Sequence, residues 1–194
     1  MITNTHILFS KVLYENCLED LNFKLDRYKF MYGNIKPDIF CNYFKDNHTI
    51  KGSIEIVKEH SQKLINGNNN ISRFSVELGV ICHYVCDYFC IYHTDEYANN
   101  NIFKHIIYEK KLHARAIDMI EKENIKIKAK SNLLEGNIVE FIYKMQEKYF
   151  NENQSLTRDI IYALETANTV AQGIINYSLK NDNKLWNNFL EKIS

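Results

Sequence analysis

Hydrophobic residues recur at helical spacing along most of the chain. Over residues 4–21 and again over 52–66 the apolar residues fall on one face of a helix. The same periodicity predicts helices over 71–92, 102–123, 131–150 and 156–180, and a short last helix around Trp186. Residues 30–50 are predicted to be irregular because Gly33 and Pro37 lie within them. The pattern predicts an all-α fold, and a content of only 6 glycines and 1 proline agrees with it.

The segment 74–92 is apolar on almost every side, which predicts a helix buried in the centre of the fold. It nevertheless contains His83 and Asp87, which are four residues apart and therefore lie on one helix face. His93 follows just beyond. Burial of an unpaired carboxylate costs too much free energy, so Asp87 must be paired, hydrogen-bonded or bound to a cation. A metal ion suits a histidine and an aspartate on the same face.

A second histidine–carboxylate pair, His105 and Glu109, has the same spacing of four. His113 follows one turn later. Contact with one of the ligands is one interpretation of it, and a solvent-facing histidine is at least as good an interpretation. Three more potential ligands lie nearer the amino end: His6, Asp38 and His48. Imidazole and carboxylate ligands suit zinc, iron, nickel or manganese. The many carboxylates and few thiols favour an open catalytic site over a closed structural one.

Cys82, Cys86 and Cys90 recur every four residues along the apolar segment. A thiolate metal site is one interpretation of this spacing. Packing as small core hydrophobes is the favoured one, because the cysteines lie on a neighbouring stripe of an apolar helix. Three tyrosines are likewise interpreted as core aromatics rather than as donors to carboxylates near the metal: Tyr84, Tyr88 and Tyr108.

The overall charge is neutral, with 24 basic and 24 acidic residues, and no basic run interrupts this balance. A stable nucleic-acid partner is therefore not expected. At 194 residues, a single domain over 1–194 is the expected organisation. The amino end shows no basic leader or long apolar segment, and no stretch reaches the roughly 18 apolar residues of a membrane span. Together with an odd count of 5 cysteines, these features predict a cytoplasmic protein.

The spacing of the ligand types is specific enough to compare with known families. The pattern consists of His83-x3-Asp87-x5-His93, His105-x3-Glu109, Leu78-Gly79-x3-His83-Tyr84 and Lys36-Pro37-Asp38. It resembles the zinc-dependent phospholipase C family, which includes the clostridial and Bacillus phospholipases C and has the fungal single-strand nucleases as distant relatives. The resemblance implies a single multi-helix domain with a trinuclear metal site between its helices. The resemblance is to the helical domain alone, and no lipid-binding β-sandwich like that of the toxic phospholipases is expected within these residues.

Carried over residue by residue, the resemblance implies up to three zinc ions. The first would be held by Asp38, His48, His83 and Asp87, the second by His93, His105 and Glu109, and the third by His6, Asp87 and the amino group and carbonyl of Met1. Asp38 would in addition act as the catalytic base. His60 is the alternative to His48. His48 is preferred because it stands in a loop just before a helix, as the ligand of the family does.

The resemblance also implies a reaction, the hydrolysis of a phosphodiester by a hydroxide that bridges two zinc ions. A phospholipid headgroup is the expected substrate, and it implies transient contact with a membrane surface. One alternative is a nuclease or other phosphodiesterase on the same scaffold, and the other is a non-catalytic zinc-binding helical protein. The neutral net charge counts against the nuclease.

Overall fold

The described part of the chain folds into seven α-helices. The structure is a computed structural model, and it describes residues 1–21, 23–40, 48–67, 69–94, 97, 101–123, 125, 127 and 137–181. Within these residues the helices are α1 (Thr3–Leu21), α2 (Arg27–Phe40), α3 (Ile50–Asn66), α4 (Ile71–Asp87), α5 (Ile102–Ile117), α6 (Ile138–Asn151) and α7 (Leu156–Asn181), and no strand occurs there. A 3₁₀ turn (Ile91–His93) follows α4, and a π-helical turn (Asp118–Lys122) follows α5. The predicted all-α fold is confirmed. None of the described helices is long and apolar enough to cross a membrane.

Helix α4 is the buried centre of the fold, as its apolar sequence predicts. Every residue from Leu78 to Asp87 is buried, and the helix packs against α2, α3 and α7. Its first turn is capped by Asn70, whose side-chain oxygen accepts a hydrogen bond from the Arg73 N–H at 2.9 Å. Because α4 is enclosed on several sides, the polar side chains at its carboxyl end face other helices rather than solvent.

Helix α2 shows that the predicted irregular stretch over 30–50 is wrong in its first part. Gly33 is explained by close packing: a Cβ on it would overlap the Val76 carbonyl oxygen and approach the Gly79 Cα to 3.0 Å. Pro37 begins the last turn of the helix, where its missing N–H removes one hydrogen bond without ending the helix earlier. Packing of α2 on α4 therefore outweighs two residues that usually break helices. Residues 41–47 lie outside the described part.

The central helix ends earlier than predicted, at Asp87 rather than at residue 92. The Cys90 N–H bonds to the Asp87 carbonyl at 3.0 Å in a tight turn, but the Ile91 N–H donates to the Asp159 carboxylate of α7 at 3.0 Å. The chain then leaves the direction of α4 and forms the 3₁₀ turn. This change of direction brings His93 beside α5.

The remaining helices lie where the periodicity predicts them, with shifted ends. α5 and the π-helical turn together end at Lys122, close to the predicted end at 123. α6 begins at Ile138, where the Asn137 side chain accepts a hydrogen bond from the Glu140 N–H at 3.1 Å. α7 agrees with the predicted helix over 156–180 to within one residue. Residues 131–136 and the predicted helix around Trp186 lie outside the described residues.

Candidate metal centre

Asp87, the last residue of α4, lies in the middle of a group of histidines. Its side chain is completely buried, and both carboxylate oxygens face nitrogen atoms. Oδ2 lies 2.7 Å from His48 Nδ1, 3.3 Å from His83 Nε2 and 3.6 Å from His93 Nδ1. These three histidines come from the residues just before α3, from α4 itself and from the 3₁₀ turn. A single carboxylate thus joins three separate parts of the fold.

The other oxygen of Asp87, Oδ1, faces the first residues of the chain. It contacts the Met1 amino nitrogen and lies 3.3 Å from His6 Nε2. The His6 ring stacks on the His83 ring, with centroids 3.9 Å apart. Both ring nitrogens of His6 are buried, and neither has a hydrogen-bond partner among the described residues. Each buried polar atom without a hydrogen bond costs about 1–3 kcal/mol, so a ligand bound to this imidazole would remove a cost that the described side chains leave.

The crossing of α2 and α4 orients His83. The ring donates a hydrogen bond from Nδ1 to the Asn34 backbone carbonyl at 2.8 Å, so that in the neutral form of the ring Nε2 is the unprotonated nitrogen. Nε2 lies 3.7 Å from Asp38 Oδ1 and 3.3 Å from His48 Nδ1. The second oxygen of Asp38 accepts a hydrogen bond from the Thr3 hydroxyl at 3.0 Å. Helices α1, α2 and α4 therefore fix these side chains together.

A second pocket forms between the 3₁₀ turn and α5. Glu109 Oε1 lies 2.9 Å from His93 Nε2, 2.9 Å from His105 Nε2 and 3.2 Å from the Met1 nitrogen. Cys90 borders the same pocket, since its Sγ, a His93 ring nitrogen and a Glu109 oxygen all lie within 4.8 Å of one another. Glu109 is thus surrounded by ligand-type nitrogen atoms in this pocket, as Asp87 is within its group of histidines.

Electrostatics favours the metal-binding protonation state at His83 and Asp87 and opposes it at the Met1 amine. Burial lowers the pKa of His83 well below its usual value, and repulsion from His6 adds to this effect. Burial alone would raise the pKa of Asp87, but the attraction of His93 and of the Met1 amine outweighs it and holds this pKa well below the usual range. Burial would also lower the pKa of the Met1 amine, yet Asp87 and Glu109 raise it to about 11. A metal ion that binds this amine therefore has to displace a proton.

The arrangement fits a metal cation between its members. His83 Nε2 carries a lone pair, because Nδ1 holds the ring proton, and it faces the Asp87 carboxylate at 3.3 Å. Two acceptors at this distance repel each other unless a positive charge lies between them. Three further groups of potential ligand atoms lie within 4.8 Å of one another: His6, His83 and Asp87; Asp38, His48 and His83; and His48, Asp87 and His93. The donors are nitrogen and oxygen atoms, so the residues fit a zinc centre.

The chain matches the model of one protein family over residues 5–156, and the description of that family is zinc dependent phospholipase C. The chain belongs to this family. Membership confirms the resemblance of the ligand spacing, and it indicates a metal-dependent, phospholipase C-like function. The match includes all the predicted ligands except Met1. No curated protein and no solved structure matches the chain.

The structure brings together all the residues that the family pattern predicts as zinc ligands: Met1, His6, Asp38, His48, His83, Asp87, His93, His105 and Glu109. Their binding of zinc stays a prediction. The sequence left His48 and His60 as alternatives, and the structure places His48 in the centre. His60 instead contacts Glu77 and is 25% exposed. His113 is not in any of the groups of potential ligand atoms found among the described residues, and its Nδ1 lies 3.1 Å from the Thr5 hydroxyl oxygen.

Three further residues border the centre or bond to the segments that carry its residues, and the sequence pattern did not predict them. Asn34 contributes only its backbone carbonyl. Because every residue has this group, the sequence gives no sign of the contact. Cys90 was interpreted as a packing residue together with Cys86. Cys86 does pack in the core, whereas the thiol of Cys90 borders the Glu109 pocket. Cys90 lies three residues after Asp87, on nearly the same face of the predicted helix, and this spacing would have indicated that its thiol lies near the ligands. The third residue, Asp159, comes from α7, distant in sequence from every ligand.

Proposed function

We propose that the chain is a zinc-dependent phosphodiesterase with phospholipase C-like specificity. The observation that carries the proposal is the buried Asp87 carboxylate, which faces the unprotonated Nε2 of His83 and contacts ligand-type nitrogens through both oxygens. The proposed ligands are Asp38, His48, His83 and Asp87 for one zinc ion, His93, His105 and Glu109 for a second, and Met1, His6 and Asp87 for a third.

The side chains of the centre would have two roles, the binding of zinc and the transfer of a proton. Zinc at these positions would polarise a phosphoryl oxygen and make a water molecule more acidic. Asp38 is the proposed catalytic base. The Thr3 hydroxyl holds its Oδ2, so that Oδ1 is turned toward His83 and can accept the proton of the attacking water.

The exposure of the side chains indicates where a substrate would enter. His6, His83 and Asp87 are completely buried. In contrast, the side chains of Asp38, His48 and His105 are 18%, 19% and 26% exposed. We propose that the phosphodiester reaches the centre from the side of these three residues, while the buried ligands hold the metal ions and exclude water behind them.

Metal content and turnover together test this proposal. The purified chain is expected to retain about two or more zinc ions and to hydrolyse a chromogenic phosphocholine ester. Chelation should abolish the hydrolysis, and added zinc should restore it. Bis-nitrophenyl phosphate and single-stranded DNA serve as comparison substrates. Preferred cleavage of DNA would favour the nuclease, zinc without turnover would leave a zinc-binding protein, and a chain without zinc would contradict the proposal.

A matched pair of histidine variants controls for nonspecific effects in this experiment. His48→Ala is expected to lower the zinc content and to reduce turnover by at least about 100-fold, because it removes a ligand from beside Asp87. His60→Ala removes the same side chain from the partly buried pair with Glu77, which includes no proposed ligand, and should change turnover by less than about twofold. Equal effects of the two variants would show that His48 is not a ligand.

The exposed face of α5 is proposed to contact the membrane surface that carries the substrate. Four large apolar side chains on its first two turns are exposed by 41–72%: Ile102, Phe103, Ile106 and Ile107. Three lysines of the same helix are also exposed: Lys104, Lys110 and Lys111. An apolar face beside lysines is typical of helices that lie on anionic bilayers. Because α5 also carries His105 and Glu109, contact through this face would bring a phospholipid headgroup close to the centre.

Vesicle binding by metal-free protein tests this contact independently of turnover. The double variant Phe103→Ser/Ile107→Ser is expected to sediment with phosphatidylcholine–phosphatidylserine vesicles about tenfold more weakly than the unchanged chain. The double variant Tyr143→Ser/Phe150→Ser removes exposed aromatic residues from α6 and should bind as the unchanged chain does. Unchanged binding of the α5 variant, or equal losses in both, would contradict the proposed face.

A further inference from the structure

We infer that Asp159 is a positioning residue whose buried carboxylate holds the two chain segments that carry His93 and Glu109. The inference rests on the proposed function only in taking these two residues as zinc ligands. Asp159 belongs to α7 and is completely buried. It lies beyond residue 156, where the family match ends, so the family pattern says nothing about it.

One oxygen of Asp159 is bonded to both segments at once. Oδ2 accepts a hydrogen bond from the Ile91 N–H at 3.0 Å and another from the Tyr108 hydroxyl at 2.7 Å. Ile91 opens the 3₁₀ turn that ends at His93, and Tyr108 directly precedes Glu109 in α5. The distance between His93 and Glu109 therefore depends on the position of one oxygen atom of α7.

The bond to Ile91 is part of the reason that His93 reaches the pocket. If α4 had continued, the Ile91 N–H would bond to the Asp87 carbonyl, which the Cys90 N–H uses instead. An N–H at this depth needs an acceptor, because leaving it unpaired costs about 1–3 kcal/mol. Asp159 is that acceptor. Without it, the turn that directs His93 toward Glu109 loses its partner in the core.

The other oxygen of Asp159 fixes the carboxylate without touching either ligand segment. Oδ1 accepts hydrogen bonds from the Tyr149 hydroxyl at 2.9 Å and from Arg158 Nη2 at 3.1 Å. The Arg158 guanidinium lies 3.8 Å from the centre of the Tyr149 ring and also bonds to the Glu152 carbonyl at 2.9 Å. The positive charge of Arg158 offsets part of the cost of burying the carboxylate, although burial still raises the pKa of Asp159. Asp159 is thus held on one side and bonded to the proposed zinc pocket on the other.

Two tyrosines therefore offer a matched test, because each donates one hydroxyl to the same carboxylate. Tyr108→Phe is expected to weaken zinc binding in the His93–Glu109 pocket by about 10–100-fold, measured by competition with a chromophoric chelator. It should also shift the visible absorption bands of the cobalt-substituted protein. Tyr149→Phe should leave the affinity within about twofold and the cobalt spectrum unchanged, because Arg158 Nε and Nη2 still hold Oδ1, although the variant also loses one buried hydrogen bond.

Similar zinc affinities and cobalt spectra in the two variants would overturn the inference, since they would show that Asp159 stabilises the core without positioning His93 and Glu109. Asp159→Asn is the second variant. It keeps the shape of the side chain but not its charge, and it should reproduce the zinc loss of Tyr108→Phe if it folds. All these readouts are independent of turnover. A chain that binds zinc with the expected difference between the variants but hydrolyses no phosphodiester would refute the proposed function and leave this inference standing.

Discussion

Asp87→Asn is expected to leave the chain with at most one zinc ion and to lower phosphodiester turnover by at least about a thousandfold, or about 4 kcal/mol. Both carboxylate oxygens of Asp87 face ligand-type nitrogens, including His6 on one side and His48 on the other. An amide replaces one of these oxygens with an NH₂ group, which cannot bind a cation. It also removes the negative charge that offsets the metal ions. Elemental analysis of the purified variant and steady-state kinetics measure the two effects.

Asp118→Asn is the matched control for this change. Asp118 is an ionised carboxylate on the surface, where it pairs with Lys122 at 2.6 Å, and exposed pairs of this kind contribute little to stability. Its variant should retain all the zinc and full turnover. Retention of the full zinc content by Asp87→Asn would show that the buried carboxylate is not the shared ligand, and the proposed centre would then be wrong.

Much of the centre is predictable from sequence because its ligands obey local geometry. His83 and Asp87 share a face of α4, and His105 and Glu109 share a face of α5, so a spacing of four places each pair together before any tertiary contact is known. The apolar surroundings of Asp87 further predict that this carboxylate is paired, hydrogen-bonded or bound to a cation, and the histidine on the same face favours a metal ion.

Other parts of the centre depend on contacts between distant segments, which periodicity does not contain. The end of α4 at Asp87 depends partly on Asp159, a residue of α7 that accepts the Ile91 N–H. Helix α2 was missed because Gly33 and Pro37 look like helix breakers, whereas Gly33 serves the close packing against α4. In both cases a tertiary interaction overrides a local preference.

Gly79→Ala is expected to destabilise the fold and the centre together. A Cβ on Gly79 would overlap the Phe30 carbonyl oxygen and lie 2.9 Å from both the Gly33 Cα and the Asn34 backbone nitrogen. Backbone atoms cannot move aside as side chains do, so α2 would have to shift away from α4. Overpacking of this kind costs about 1–3 kcal/mol. At about 2–4 °C per kcal/mol, the melting temperature should fall by about 2–12 °C.

The same shift would reach the metal centre through one hydrogen bond. His83 lies one turn after Gly79 on α4, and its Nδ1 donates to the carbonyl of Asn34, the residue after Gly33 on α2. Moving α2 lengthens this bond, and the His83 ring loses the contact that fixes its protonation state and orientation. Zinc affinity should therefore fall along with stability. Gly52→Ala, at an exposed position of α3, should preserve both or raise stability slightly. Stability and zinc affinity of Gly79→Ala equal to those of Gly52→Ala would contradict the packing role of the Gly33–Gly79 contact.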